Sequence, residues 1–458
     1  MNLTYQVKDR PGFGKTLIFA LQQVLAILAA TIAVPAIIGN GMSQSAALFG
    51  AGVGTLVYLC FTKFRSPVFL GSSFAFIGSM FAAFGGAASA AAGYAGLIIG
   101  AVFAGLVYVV IALVVKFAGV NWINKLMPAV VIGPTVAIIG LSLAGNAVGD
   151  LTVGKVLVDG ASVASPYICL LCGLVTLFTV ILCSVYGKKM GKLIPFIIGI
   201  VAGYVCATIF TLIGDATGSD ALRIINFDAF KDMTIFAVPD FTFLTAVDGL
   251  KEIDGSFIAT VAVAYIPVAF VVFAEHIADH KNLSSVIGSD LLENPGLHRT
   301  LLGDGVGSIA GAFFGGCPNT TYGESVGCVA ISGNASIVTI FTTAIMCLII
   351  SFFGPFVTFL ASIPNCVMGG VCVTLYGFIA VSGLKMIQKT DLNKNGNLFT
   401  VAVILICGIG GLSVTFGKVT LTAIACALIL GIITNLIVRK RTTNAPEFEE
   451  KAEEKIEE

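Results

Sequence analysis

Along most of this chain the pattern is neither the strict alternation of a half-buried strand nor the narrow stripe of an amphipathic helix. Apolar residues run on for about one membrane thickness, and short polar or turn-forming breaks divide the runs. The breaks define fourteen spans, near 16–38, 45–62, 67–84, 94–116, 126–145, 165–186, 193–213, 256–278, 300–316, 317–332, 335–358, 363–386, 397–414 and 418–438. With no water in the bilayer to satisfy the backbone, such segments must be helices or a closed barrel, and their length and lack of alternation predict helices. The expected fold class is an all-α integral membrane protein. Spans three and ten break the pattern. Leu70-Gly-Ser-Ser-Phe-Ala-Phe-Ile-Gly78 and Pro318-Asn-Thr-Thr-Tyr-Gly-Glu-Ser-Val-Gly327 are short and interrupted by glycine, proline and polar residues. Two broken helices are predicted there.

Composition agrees with this reading: of 458 residues 57% are hydrophobic and 11% charged, where a soluble domain carries about 25% charged residues. The 53 glycines and 14 prolines suit close helix contacts and interrupted helices. Zero net charge argues against a nucleic-acid partner. The N-terminus lacks a short apolar core followed by a small-residue cleavage site, so the first span is expected to act as its own insertion signal. Nearly all of the 12 cysteines lie inside apolar runs, where Cys behaves as a small hydrophobe. Cys169-x-x-Cys172 has no second pair or histidine cluster with it, so no metal or other cofactor is expected.

Basic residues test the span count, because Lys and Arg concentrate in cytoplasmic loops. With both termini cytoplasmic, 25 Lys and Arg divide so that only Lys155, Arg223, Lys231, Lys251 and Lys418 fall outside. The polar stretch 214–255 is then an extracellular connection between seven spans (1–213) and seven more (256–438), and 439–458 is a charged cytoplasmic tail. Seven and seven implies halves of opposite orientation, the inverted-repeat plan of secondary transporters. Pro128-Ala-Val-Val-Ile-Gly133 resembles Pro364-Asn-Cys-Val-Met-Gly369 at an offset of 236, and Phe74 and Tyr322 of the two broken spans are 248 apart.

Few ionisable side chains lie at membrane depth, and each needs a reason to be there. Glu275 and Asp279, four residues apart, share one helical face; with His276 and His280 they either mark the cytoplasmic end of span eight or line a site. Glu324 lies inside the second broken span. A helix broken in mid-membrane must line a cavity or meet a partner, and two of them aim unpaired backbone groups at one point. Phe74 and Gly323 then offer backbone amides while Glu275 and Glu324 accept from ring N–H groups, which suits a small planar solute with N–H and C=O edges. Spans three, eight and ten contain no Arg or Lys, so the solute is expected to be neutral. Burial and mutual repulsion keep a proton on the carboxylate pair, so proton symport is expected, with sodium as the alternative ion. An inorganic-anion transporter or channel would place a cation where this chain has Glu324, and no nucleophile–base constellation for a membrane enzyme is present at depth. Gly307, Gly311 and Gly315 form a stripe expected to make a close helix contact. Gly50, Gly52 and Gly54 lack the strand and lysine of a nucleotide loop.

Ala274-Glu-His-Ile277, Asn294-Pro-Gly-Leu-His-Arg299, Gly311-Ala-Phe-Phe-Gly315, Pro318-Asn-Thr-Thr-Tyr-Gly-Glu324 and Val367-Met-Gly-Gly370 together resemble the nucleobase–ascorbate transporter family, within it the bacterial uracil permeases. Leu70-Gly-Ser-Ser-Phe-Ala-Phe76 adds a match, and the resemblance runs from about Pro11 to Val438. It implies fourteen spans in two inverted repeats, with a core domain (spans one to four and eight to eleven) moving against a gate domain (spans five to seven and twelve to fourteen) that mediates homodimerisation in the cytoplasmic membrane. It further implies that Glu275 and Glu324 bind uracil with help from the amides of Phe74 and Gly323. Ala30, Ser73 and Tyr322 line the pocket on this reading, Tyr376 closes it, and Glu275, Asp279 and Glu324 couple protons. Glutamate at 324 resembles the uracil pattern, where xanthine permeases more often carry glutamine. The chain departs from the family at Ser325, Ser332 and Gly333, and at Asp279, where the uracil permeases it most resembles have histidine.

Overall fold

Helices longer than the bilayer core alternate with shorter, interrupted ones in the structure, a computed structural model that describes residues 3–119, 128–158, 161–188, 190–231, 233–416 and 419–442. Lys125, the start of the fifth predicted span and the tail beyond residue 442 lie outside the described residues. The first half comprises α1 (Phe13–Ile38), α2 (Gln44–Phe61), β1 (Leu70–Ser72), α3 (Ile77–Gly85), α4 (Ala90–Ala118), α5 (Ala129–Ser142), α6 (Ala144–Asp150), α7 (Pro166–Tyr186) and α8 (Pro195–Thr217). The second comprises α9 (Gly255–Ile287), α10 (Leu297–Gly315), β2 (Asn319–Thr321), α11 (Gly323–Ser332), α12 (Ile337–Ile350), α13 (Asn365–Ile387), α14 (Asn395–Ile409) and α15 (Ala423–Thr442). Two more antiparallel strand pairs are present, Leu157–Val158 with Ala161–Ser162 and Val414–Phe416 with Val419–Leu421.

Among the described residues eight helices are long and apolar enough to cross a membrane: α1, α2, α4, the α5–α6 pair, α7, α8, α9 and α13. Four shorter apolar helices accompany them. The protein is therefore multi-pass. The most apolar windows of α7 and α8 are only 28% and 33% buried, which is expected of helices whose outer faces meet lipid.

The termini of these helices follow their sequences. Ser43, Ser89 and Asp254 accept hydrogen bonds from the backbone N–H groups of Ala46, Ala92 and Phe257, capping α2, α4 and α9. Gly288 and Gly316 close α9 and α10 in the left-handed conformation that favours glycine. Helix α9 continues nine residues beyond the predicted end of span eight, so His276 and His280 do not mark a helix end: both are buried.

The two unusual segments meet. β1 and β2 pair antiparallel, Leu70 opposite Thr321, Gly71 opposite Thr320 and Ser72 opposite Asn319. The ribbon extends through Ser73 N–H to Pro318 O (2.9 Å) and Tyr322 N–H to Phe69 O (3.1 Å). Tyr322 lies over Gly71, where a Cβ would come within 2.3 Å of the ring, and its hydroxyl donates to Ser72 O at 2.8 Å. Behind the ribbon, α10 lies against α2 along the glycine stripe. A Cβ on Gly54 would lie 2.7 Å from Gly307 O, and one on Gly315 2.6 Å from Ala46 O. Side chains are excluded there so that backbones can touch. The Asn319 amide fills the remaining space and donates to Gly50 O at 3.0 Å. At the far end of α11, residues 4–7 run alongside 333–337, with Thr4 N–H on Gly333 O and Ala335 N–H on Tyr5 O. Thus the helix that begins at Gly323 is fixed at both ends.

Candidate substrate site

Each extended strand gives way to a helix start at the same level. Ser73 leads into a single 3-10 turn, Phe74–Phe76, and then α3; Tyr322 leads into α11. A helix start leaves its first N–H groups without intrahelical acceptors and carries a partial positive charge. Glu324 lies in the first turn of α11, where a carboxylate is favoured.

Ser73, Phe74, Glu275, Tyr322, Gly323 and Glu324 line one cavity of about 60 Å³. Its opposite wall is apolar: Val136 and Ile139 from α5, Leu375 and Ile379 from α13. The cavity lining contains no Lys or Arg. Ser73 Oγ is buried without a hydrogen-bond partner among the described residues, a state that costs free energy unless a ligand or water completes it. Six of the eight residues expected at the binding site are thus brought together. Tyr376 stands behind the lining with its ring edge-on to Phe74 at 5.9 Å. Ala30 is buried in α1 and is not among the lining residues. Asp279 also lies outside the lining, one turn from Glu275, where Thr321 Oγ1 donates to its Oδ2 at 2.8 Å.

The histidines form a second, deeper cluster. His276 Nδ1 meets Asp304 Oδ2 at 2.7 Å and its Nε2 meets Thr300 Oγ1 at 2.9 Å. His280 stacks on His276 at 4.0 Å and bonds the Tyr58 hydroxyl at 2.7 Å. The cluster ties α9 to α10 and α2, and so holds the helix that carries Glu275. Asp304 escaped the reading of the sequence, although a carboxylate inside the run 300–316 carries the same signal as Glu324. Gln23 escaped as well. Its amide donates to Ser325 Oγ, which in turn accepts from Phe69 N–H at 3.0 Å, joining α1 to both interrupted segments. Removing the imidazole strands the Asp304 carboxylate, whose Oδ1 already has no partner among the described residues. We expect His276→Ala to cost about 3–5 kcal/mol of stability, measured as a lowered thermal unfolding midpoint; an unchanged midpoint would show that the pair is not what holds α9.

Two further cavities continue the line of the first along α5–α6 and α13. One, of about 350 Å³, reaches Asp150, Asn365 and Cys372. The other, of about 760 Å³, reaches Ile132, Ala278 and Met386. Successive turns of α13 therefore face three spaces in file.

Comparison with known proteins identifies the family. The profile of the xanthine–uracil Permease family matches residues 14–417. The chain belongs to that family, the nucleobase–ascorbate transporters. The uracil permease of Bacillus subtilis is 37% identical over 443 residues, covering 94% of each chain. That of Bacillus caldolyticus is 37% identical over 97% of each, and that of Escherichia coli K12 is 33% identical over 96% of this chain and 95% of its own. Among solved structures, the transmembrane domain of the cyanobacterial bicarbonate transporter BicA superposes with a TM-score of 0.63 at 16% identity, over 95% of this chain and all of the other. Murine Slc26a9, an anion transporter, gives 0.66 at 13% identity, over 96% of this chain and 70% of its own; these likenesses concern the fold. The permease is a transporter and not an enzyme.

Proposed function

We propose that this permease imports uracil across the cytoplasmic membrane by proton symport. One observation carries the reading: Glu275 and Glu324 line a single cavity with two helix starts, Phe74 and Tyr322, and no cation beside them. Uracil presents N–H groups for the carboxylates, carbonyls for the amides of Phe74 and Gly323, and a flat ring for the aromatic side chains. An anionic substrate would face two like charges. The names of the relatives at 33–37% identity agree. Carboxylates crowded into so small a space repel one another, so a proton shared among Glu275, Glu324 and neighbouring Asp279 couples its movement to that of the solute.

The transport cycle follows from two bodies. In this reading the fourteen spans form two inverted repeats, with β1–α3 and β2–α11 as corresponding broken spans. A core of α1–α4 and α9–α12 moves against a gate of α5–α8 and α13–α15. The cavity lies between the polar wall of the first and the apolar wall of the second, and the file of three cavities supplies the path for alternating access. Both termini are cytoplasmic, 214–255 is extracellular, and the gate forms a homodimer contact.

The test is uptake of labelled uracil by cells lacking their own permease, with unlabelled thymine, xanthine and uric acid as competitors and a protonophore control. Uracil uptake that collapses with the protonophore and resists xanthine is expected. Competition by xanthine but not thymine would overturn the substrate, and sodium-dependent uptake that survives the protonophore would overturn the coupling.

A further inference from the structure

The 350 Å³ cavity has walls from both bodies: the end of α1 and the start of α2 on one side, Asp150, Asn365 and Cys372 on the other. It is nearly six times the volume of the cavity that holds the glutamates. Its charged groups are two carboxylates, Asp150 and Asp240, and one cation, Lys155, and its neutral polar groups are both donors and acceptors. Gln44 Oε1 is buried with no partner among the described residues, the Ser43 and Ser45 hydroxyls lie 2.9 Å apart beside it, and Asn365 faces from α13. Met42 and Met368, whose unbranched thioethers adapt to flat faces, supply apolar surface. Apolar walls with a few convergent donors and acceptors are the make-up of a small-molecule site. On α13, Cys372 lines this cavity and Leu375 and Ile379 line the inner one. Between them in sequence stands Tyr376, its ring against Phe74.

We propose that the outer cavity is a loading site, where a neutral heterocycle with N–H and C=O edges is held by Gln44 and Asn365 before the Phe74–Tyr376 pair parts to admit it. The proposal rests on the reading of the inner cavity as the transport site. A solute held at the mouth raises its local concentration there, so losing the site weakens capture and leaves turnover of bound solute intact.

Two measurements test this. In cells, the Gln44→Ala, Asn365→Ala double variant should raise the KM for uracil uptake about five- to tenfold, the loss of one to two hydrogen bonds, with kcat within about twofold. The conservative pair Gln44→Asn, Asn365→Gln keeps an amide on each wall and should recover part of that loss, which separates binding from misfolding. In detergent, purified Glu324→Gln protein should bind labelled uracil in two saturable phases, the weakened inner site and an outer one with a Kd on the order of millimolar, and the two alanine substitutions should remove the outer phase alone. An unchanged KM in the double variant, or no second saturable phase in Glu324→Gln, overturns the loading site. Undiminished tight binding in Glu324→Gln would instead strike at the inner site, and the KM comparison would still decide the outer one.

Discussion

Glu324→Gln is expected to abolish concentrative uracil uptake while the protein remains folded in the membrane. The substitution keeps the shape of the side chain and removes its charge, so the packing of α11 against the ribbon is preserved. An ionised carboxylate only accepts hydrogen bonds, whereas the amide offers one acceptor and two donors, and the donors meet the N–H edge of the ring in the wrong sense. Hydrogen bonds to charged groups contribute about 1.5–3 kcal/mol each, so tight binding should weaken by about 10- to 150-fold. Under the proposed symport mechanism, proton coupling should suffer separately, because one of the groups proposed to share the proton is gone. Equilibrium binding and uptake, each normalised to the amount of protein in the membrane, check the result. Uptake at the native level would refute the role given to Glu324.

The second large effect is structural. Gly54→Val places a branched side chain where even a Cβ would stand 2.5 Å from Asn319 Nδ2 and 2.7 Å from Gly307 O. The carbonyl belongs to the backbone of α10 and cannot rotate away, so α2 and α10 must separate. Overpacking of this kind costs about 1–3 kcal/mol. The displaced Asn319 belongs to β2, so the strain reaches the ribbon and then Glu324. We expect a lowered thermal midpoint and a loss of uptake larger than stability alone explains, with Gly54→Ala intermediate. A valine variant that unfolds and transports like the native protein would show that the close contact is dispensable.

How much of this was legible in the sequence depends on the range of the interaction. Long apolar runs report their own state locally, and the ends of α1, α2, α7 and α13 fall within three residues of the predicted ones. The interruptions at 70–78 and 318–327 were legible because glycine, proline and a carboxylate have no ordinary place in a span. Their form was not. A three-residue strand is too short to show alternation, and nothing near Leu70 says that its partner is Thr321. Six of the residues expected at the binding site line one cavity because they belong to those interruptions or to an obvious carboxylate. Asp304, Gln23 and Thr321 matter through partners remote in sequence, and only the folded chain names those partners. The histidines were half-read for the same reason: a polar side chain near a helix end looks solvated until Asp304, Thr300 and Tyr58 are seen around it.

The ribbon also has a consequence for biogenesis. Its two strands are separated by nearly 250 residues; in the earlier one Leu70 has the Thr55 hydroxyl of α2 as a partner, but the Phe69 carbonyl and the Ser73 N–H have none among the described residues until Tyr322 and Pro318 are made, and lipid cannot satisfy them. Every helix of the first half can complete its own hydrogen bonds as it emerges, but this edge must wait for most of the polypeptide to be made. The nascent first half is therefore the vulnerable intermediate, and the insertion machinery, not the lipid, is the natural shelter for that unpaired edge until synthesis has passed Thr321.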